Sequence, residues 1–163
     1  MELIFEILVR IFEWAAPWTL KKIYPPKRID DSIEVRVSPS GQGIELRGGD
    51  APTAQVWLEI INMSPLHLKI DRAYGAFTYG SDVAEFVHLR VENLGPHQKI
   101  SFPVHGSISP GHAEFIKRVS QSPNSNITEI RFEAHIRSDI HEFPIFRRLS
   151  TTHCRLINFG NAG

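Results

Sequence analysis

The sequence predicts a mainly β protein: an immunoglobulin/fibronectin-like antiparallel β-sandwich with one short inserted helix and an N-terminal amphipathic helix. Three observations predict it. From Ser32 onward, apolar residues recur at every second position in short runs, the period of half-buried strands. Clusters of Pro, Gly, Asn and Ser separate those runs at regular spacing. Before them, residues 1–28 follow a helical period, with the charged positions gathered on one stripe.

The stripe consists of Glu2, Glu6, Arg10 and Glu13, spaced four, four and three. That spacing keeps all of them on one narrow face of a helix, where Glu6 can pair with Arg10 and Arg10 with Glu13. The rest of Leu3–Ala16 is apolar. Pro17 kinks or restarts the helix, because its ring clashes with the preceding turn. Trp18, Leu20, Lys21, Lys22, Ile23 and Tyr24 follow, and Pro25-Pro26 ends helical structure. Residues 27–31 read as a linker, residues 32–157 as the β domain, and residues 158–163 as a flexible tail.

In the β domain, Ile33, Val35 and Val37 alternate with Glu34 and Arg36, and a turn at Pro39–Gly43 leads to Ile44 and Leu46. Val56–Ile61 is a nearly continuous apolar run, expected as a central strand. Leu68 and Ile70 begin a long aromatic strand through Tyr74, Phe77 and Tyr79, in which Gly75 reads as a bulge. Val87, Leu89 and Val91 face one way and His88, Arg90 and Glu92 the other. Ile100, Phe102, Val104 and Ile108 alternate again, and Pro103 on their polar phase makes that point an edge. Ser109-Pro110 is a helix start, with a hydroxyl cap and proline at the first position, for a helix carrying Phe115, Ile116 and Val119 inward. Ile130, Phe132, Ala134 and Ile136 form the next strand, and a last strand runs through Leu149–Ile157. The Cys…Trp…Cys pattern of antibody domains is absent, so the immunoglobulin likeness is one of shape.

At 163 residues, with 42% hydrophobic and 22% charged residues, the chain has enough apolar matter for one domain with a core. Eighteen basic and eighteen acidic side chains cancel, which argues against a nucleic-acid partner. A single cysteine, Cys154, excludes an internal disulfide framework and a Cys-rich zinc site.

The stretch Ile33–Ile157 resembles the late embryogenesis abundant type 2 domain, also called the WHy domain. The residues that carry the resemblance are the opening hairpin Ile33–Leu46 and the strand Ala54–Ile61 running into Asn62-Met63-Ser64-Pro65. Leu94-Gly95-Pro96, the proline-bearing strand Ile100–Val104, the helix Pro110–Gln121 and the closing strands from Ile127 continue it. Of the family's Asn-Pro-Asn turn only Asn62 stands, and Met63 and Ser64 depart from it. The resemblance implies a fibronectin-like fold, no catalytic site, frequent attachment behind a membrane anchor, and a structural role for Asn62 in its turn.

Site motifs agree with a non-enzymatic protein. No Walker loop, dinucleotide fingerprint or G-x-S-x-G elbow occurs. His153 and Cys154 are adjacent, and adjacent strand residues point to opposite faces. The eight histidines lack ligand-pair spacing, and Asp139-Ile140-His141-Glu142, the densest cluster, falls in a turn, so no metal and no cofactor is expected. Asn62-Met63-Ser64 and Asn126-Ile127-Thr128 match the glycosylation triplet by chance. Tyr74, Phe77, Tyr79 and Phe86 read as core, with a lipid groove between sheets as the rival. Arg147-Arg148 reads as a solvated face, with anionic headgroups or nucleic acid as the rival.

The N-terminal segment carries the functional expectation. A secretory signal would want positive charge before its apolar core, and this segment begins with Glu2. Leu3–Tyr24 as a helix would be about 33 Å long, enough to span a bilayer, yet Arg10 and Glu13 would lie near mid-bilayer at about 2.5–3.5 kcal/mol each. Lying in the interface avoids that cost. Phe5, Phe12, Trp14 and Trp18 then enter the acyl boundary, and Lys21, Lys22, Lys27 and Arg28 meet anionic headgroups. The expected protein is therefore a membrane-associated module, on the cytoplasmic side, that anchors by its helix and presents a β-sandwich to a protein partner. The alternatives are a homo- or hetero-oligomer in which the helix is a protein interface, and a lipid-binding sandwich.

Overall fold

The computed structural model describes residues 16–39, 43–120, 128–151 and 154–159. The order of elements is α1 (residues 16–23), α2 (Pro26–Asp31), β1 (Ile33–Val37), β2 (Ile44–Arg47), β3 (Thr53–Asn62), β4 (Leu68–Tyr79), β5 (Ser81–His88), β6 (Glu92–Leu94), β7 (Lys99–Ile108), α3 (Pro110–Ser120), β8 (Thr128–Ser138), β9 (Glu142–Thr151) and β10 (Cys154–Ile157).

The protein is mainly β. Its strands form one ten-stranded sheet in the order β10-β2-β3-β7-β5-β4-β8-β9, with β1 also on β3 and β6 also on β4. Every pairing is antiparallel except β10 with β2. β5 makes the sheet continuous: it pairs with β4 through Ala73↔His88 to Tyr79↔Ser81, and with β7 through Ala84↔Ile108 to Phe86↔Gly106. The sheet curls, and its two halves meet where the Arg147 guanidinium on β9 donates 3.1 Å to the Ile33 carbonyl at the start of β1.

The period-2 residues supply the core. Ala54, Val56, Leu58 and Ile60 of β3 face Ile70, Ala73 and Phe77 of β4 and Ile130, Phe132, Ala134 and Ile136 of β8 in one buried cluster. Phe77 and Phe86 pack edge to face, their ring centroids 5.4 Å apart. Phe77, Tyr79 and Phe86 are buried while Tyr74 is exposed, so the aromatics of β4 and β5 divide between the two faces of the sheet. α3 begins as expected, with the His112 amide donating 3.2 Å to the Ser109 hydroxyl, and it buries Ile116. At Pro103, β7 is paired with β3 alone, in keeping with a local edge.

Several elements differ from the sequence expectation. Residues 27–31 are helix α2 rather than a linker, because Pro26 sits at the first helical position and Ile29 is fully buried. The expected strand Leu149–Ile157 is two strands, and most of β9 lies before it. Gly75 is not a bulge: the register of β4 shifts instead between Ile70 and Arg72 and between Phe77 and Thr78. Phe159, placed in the flexible tail, is buried in the core.

β3 is central, yet only one of its faces is apolar. On the other face Glu59 is 2% exposed, roofed by Arg36 from β1 at 2.9 Å and Lys99 from β7 at 3.4 Å. The hydrogen bond from Arg36 holds the Glu59 carboxyl below the usual carboxylate range. Burial pushes the other way, and Lys99 adds to the lowering. A carboxyl with a lowered folded value contributes stability above its unfolded value of about 4.3, and that stability is lost as pH falls through the folded value. The melting temperature is therefore expected to drop on acidification below about pH 4, and Glu59→Gln to remove part of that slope while lowering stability at pH 7. Thermal melts from pH 3 to pH 7 check this; an unchanged slope in the variant would assign the acid sensitivity to other carboxyls.

Candidate functional site

The chain enters the β domain through α1 and α2, and the two helices behave differently. α2 is fastened: Ile29 is buried, the Ser32 hydroxyl donates to the Ile29 carbonyl at 2.6 Å, and Asp30 pairs with Arg147 at 2.6 Å. α1 is not. Residues 17–23 are exposed all round, with Trp18 at 68%, and contact with the core begins only at half-buried Tyr24. Pro25 separates the two behaviours, since it cannot continue α1 and directs the chain into α2.

The sequence-predicted anchoring residues fall as follows. Phe5, Phe12 and Trp14 lie outside the described residues. Trp18, Lys21, Lys22, Lys27 and Arg28 are all exposed. The Lys22 ammonium lies 5.6 Å from the Trp18 ring centroid, and the Arg28 guanidinium lies 4.9 Å from that of Tyr24, while also donating 2.9 Å to the Ile23 carbonyl. Cation and ring are thus neighbours twice. Among the described residues no helix is long and apolar enough to cross a membrane.

A second surface was not foreseen as a site. Strands β5, β4, β8 and β9 lie side by side, and their registers align rows across the outer face. One row is Val87, Tyr74, Glu133, Phe146. The next is Glu85, Ala76, Arg131, Arg148. Val87, Tyr74 and Phe146 are exposed, and so are Leu89 and Val91 just beyond β5. The strand alternation ends at His88, before Leu89 and Val91, and Val87 lies on the solvent side, because Phe86 beside it is buried in the core. The face forms a shallow groove of about 1020 Å³. The Tyr74 hydroxyl donates to Glu133, which raises the phenol above its ordinary pKa, and Arg131 pairs with Asp82. The side chains of Arg72 and Arg148 make no hydrogen bond or ion pair among the described residues, and the Arg72 charge acts on Tyr74.

The structure also assembles a cluster that spacing did not show. Asp71, His135 and Glu142 bring one ligand atom each within 4.8 Å of one another. Glu142 belonged to the Asp139–Glu142 turn cluster in the sequence; Asp71 comes from the irregularity in β4 and His135 from β8. The imidazole offers opposite nitrogens to its neighbours, Nδ1 at 4.0 Å from Asp71 and Nε2 at 3.5 Å from Glu142. Arg137 stands 2.9 Å from Asp71 and 3.7 Å from Glu142. A single ion takes one nitrogen from a ring and is repelled by a guanidinium, so this chemistry is that of an ion-pair network.

Two other sequence candidates find structural roles. Asn62 is fully buried and hydrogen-bonded, which leaves its amide closed to glycosylation in the folded protein. Asn126 and His153 lie outside the described residues. His88 is half-buried and stacks on Phe102 with centroids 4.4 Å apart.

No family model and no curated protein matches the chain. Among solved structures it is similar to the Northeast Structural Genomics Consortium target SoR45, at 14% identity over 76% of this chain and 90% of that one, with a TM-score of 0.49. It is similar to a protein from Archaeoglobus fulgidus at 8% identity, over 74% and 96% of the two chains, with a TM-score of 0.43. A protein described as late embryogenesis abundant, solved in solution, is similar at 8% identity, over 92% and 86%, with a TM-score of 0.38. At these scores the likenesses carry no argument about function.

Proposed function

We propose that the protein is a non-enzymatic module held at an anionic membrane surface by its N-terminal helix, with the β domain presented to a protein partner. The observation that carries the reading is α1, which leaves the β domain with Trp18, Leu20 and Ile23 open to solvent among the exposed cations Lys21, Lys22, Lys27 and Arg28. Indole rings bridge oil and water, and ammonium groups meet phosphate. Cytoplasmic leaflets supply the anionic lipid. In the same reading the curled sheet is a fibronectin-like sandwich joined along β5, of the late embryogenesis abundant type 2 kind.

Co-sedimentation of the full chain with vesicles tests the reading. Binding is expected to anionic vesicles and to fall as salt rises, since headgroup attraction is screened beyond a Debye length. Each basic residue near such a surface adds about 1 kcal/mol, so Lys21→Glu with Lys22→Glu is expected to weaken binding at least tenfold at low salt. Trp14→Ala with Trp18→Ala is expected to weaken it at every salt concentration, because that loss is apolar area. A protein that stays in the supernatant with all vesicles removes the membrane from the reading and leaves α1 as a protein interface.

A further inference from the structure

Among the described residues nothing covers the outer face of β5-β4-β8-β9. Val87 is 65% exposed and Phe146 62%, and they stand at the two ends of one row across it. Tyr74 and Glu133, hydrogen-bonded to each other, fill the middle of that row. Apolar side chains gathered along a groove, rather than standing singly, mark a contact surface. The neighbouring row runs Glu85, Ala76, Arg131, Arg148. Its Arg131 and Arg148 stand directly opposite each other on adjacent strands, a like-charge pair that opposes folding. Asp82 neutralises Arg131, but the Arg148 side chain has no hydrogen bond or ion pair among the described residues. Glu85, at the far end of the same row, has none either.

Each row therefore has ends that complement each other, valine against phenylalanine and carboxylate against guanidinium. A two-fold axis lying in the face, along the strands and between β4 and β8, exchanges those ends. It sets β5 of one copy over β9 of the other, and β4 over β8. Glu85 then meets Arg148 of the second copy, and Arg148 meets the second copy's Glu85. Val87 and Phe146 pack on each other in the same reciprocal way. Arg72 comes over His135 of the second copy, next to the carboxylates of Asp71 and Glu142. Sheets packed face to face keep their strands within about 30° of each other and lie about 10 Å apart, so the rows of one can meet the rows of the other.

We propose that the outer face of β5-β4-β8-β9 is a dimer interface, and that its occupant is a second copy of this chain with Glu85 paired to Arg148 across the two-fold axis. The size of the face sets the strength of the dimer. Strands about 4.8 Å apart, rising about 3.4 Å per residue, make a face of roughly 20 Å by 25 Å, so about 1,000 Å² is covered over both copies, the lower end for a specific interface. The dimer is therefore weak and reversible. It uses neither α1 nor lipid, and stands apart from the anchoring reading.

Sedimentation equilibrium of the full chain over a wide range of concentration tests this. A monomer–dimer equilibrium is expected. Glu85→Arg alone, and Arg148→Glu alone, each bring like charges together twice in the dimer and are expected to weaken it at least about tenfold. Both side chains are exposed, so the variants keep the fold. An equimolar mixture of the two variants is expected to associate as the native protein does, because each supplies the charge that the other lacks. Phe146→Ala is expected to weaken the dimer too, and mixing with either charge variant is expected not to restore it. A chain that stays monomeric throughout leaves the face to a different partner and overturns the proposal. So does a dimer that ignores both charge reversals, which assigns association to α1 or another surface. Weakening in each variant without recovery in the mixture overturns the pairing of Glu85 with Arg148.

Discussion

Asn62→Ala is expected to destabilise the protein by about 3–5 kcal/mol, because one small side chain satisfies four groups in a buried place. Asn62 is fully buried at the end of β3. Its Nδ2 donates to the Leu66 carbonyl at 2.8 Å and to the Gly95 carbonyl at 2.9 Å. Its Oδ1 accepts from the Ser64 amide at 2.9 Å and the Ser64 hydroxyl at 2.6 Å. The β3–β4 connection is thereby tied to the turn between β6 and β7. Alanine leaves those partners without a bond where water has little access, and each such group costs about 1–3 kcal/mol. Ser64→Ala removes the hydroxyl bond alone and is expected to cost about 1 kcal/mol. Urea unfolding followed by circular dichroism checks both, with a lower midpoint and an unchanged slope in each case. A loss below about 1 kcal/mol for Asn62→Ala would mean that water replaces the amide and that the turn does not depend on it.

Asn62 was legible in the sequence, since the family resemblance singles it out and the hydrogen bonds give it the turn role. The strands that alternate cleanly were legible for a different reason: β1 and β8 each bury one face, so period 2 appears directly in their residues. β9 was obscured. Its inward residues Phe143 and Ile145 lie between Glu142, Pro144, Phe146 and Arg147, and a proline with an outward phenylalanine blurs the alternation. α2 was hidden because a single buried residue, Ile29, decides that Pro26–Asp31 belongs to the domain. The outer groove and the His135 network depend on which strands become neighbours. Arg72 meets His135, and Glu133 meets Phe146, across sequence separations that no local pattern encodes. Sequence spacing does say that Phe86 and Val87 point to opposite sides. Only the packing of Phe86 into the core says that the Val87 side is the outer one.

Gly75→Ala is expected to cost at least about 3 kcal/mol and to disturb the groove with the fold, because it forces atoms into an occupied core. Gly75 lies in the middle of β4, opposite Phe86 on one side and Phe132 on the other. A Cβ there would collide with the carbonyl oxygen of Arg131, lie 2.9 Å from its carbonyl carbon, and lie 2.8 Å from the Phe86 ring. A ring can turn, but the Arg131 carbonyl is part of the β4–β8 ladder, so the backbones must separate. Separation at this point loosens Tyr74 and Ala76 on either side, and with them the row that joins Val87 to Phe146. The substitution should therefore lower the urea midpoint. Gly111→Ala near the start of α3 is the control, because nothing lies within 4 Å of a Cβ there; it is expected to be neutral or to stabilise by up to about 1 kcal/mol. Equal midpoints for the two variants would show that β4 and β8 can part at Gly75 without loss, so that the close approach is not what holds the face together.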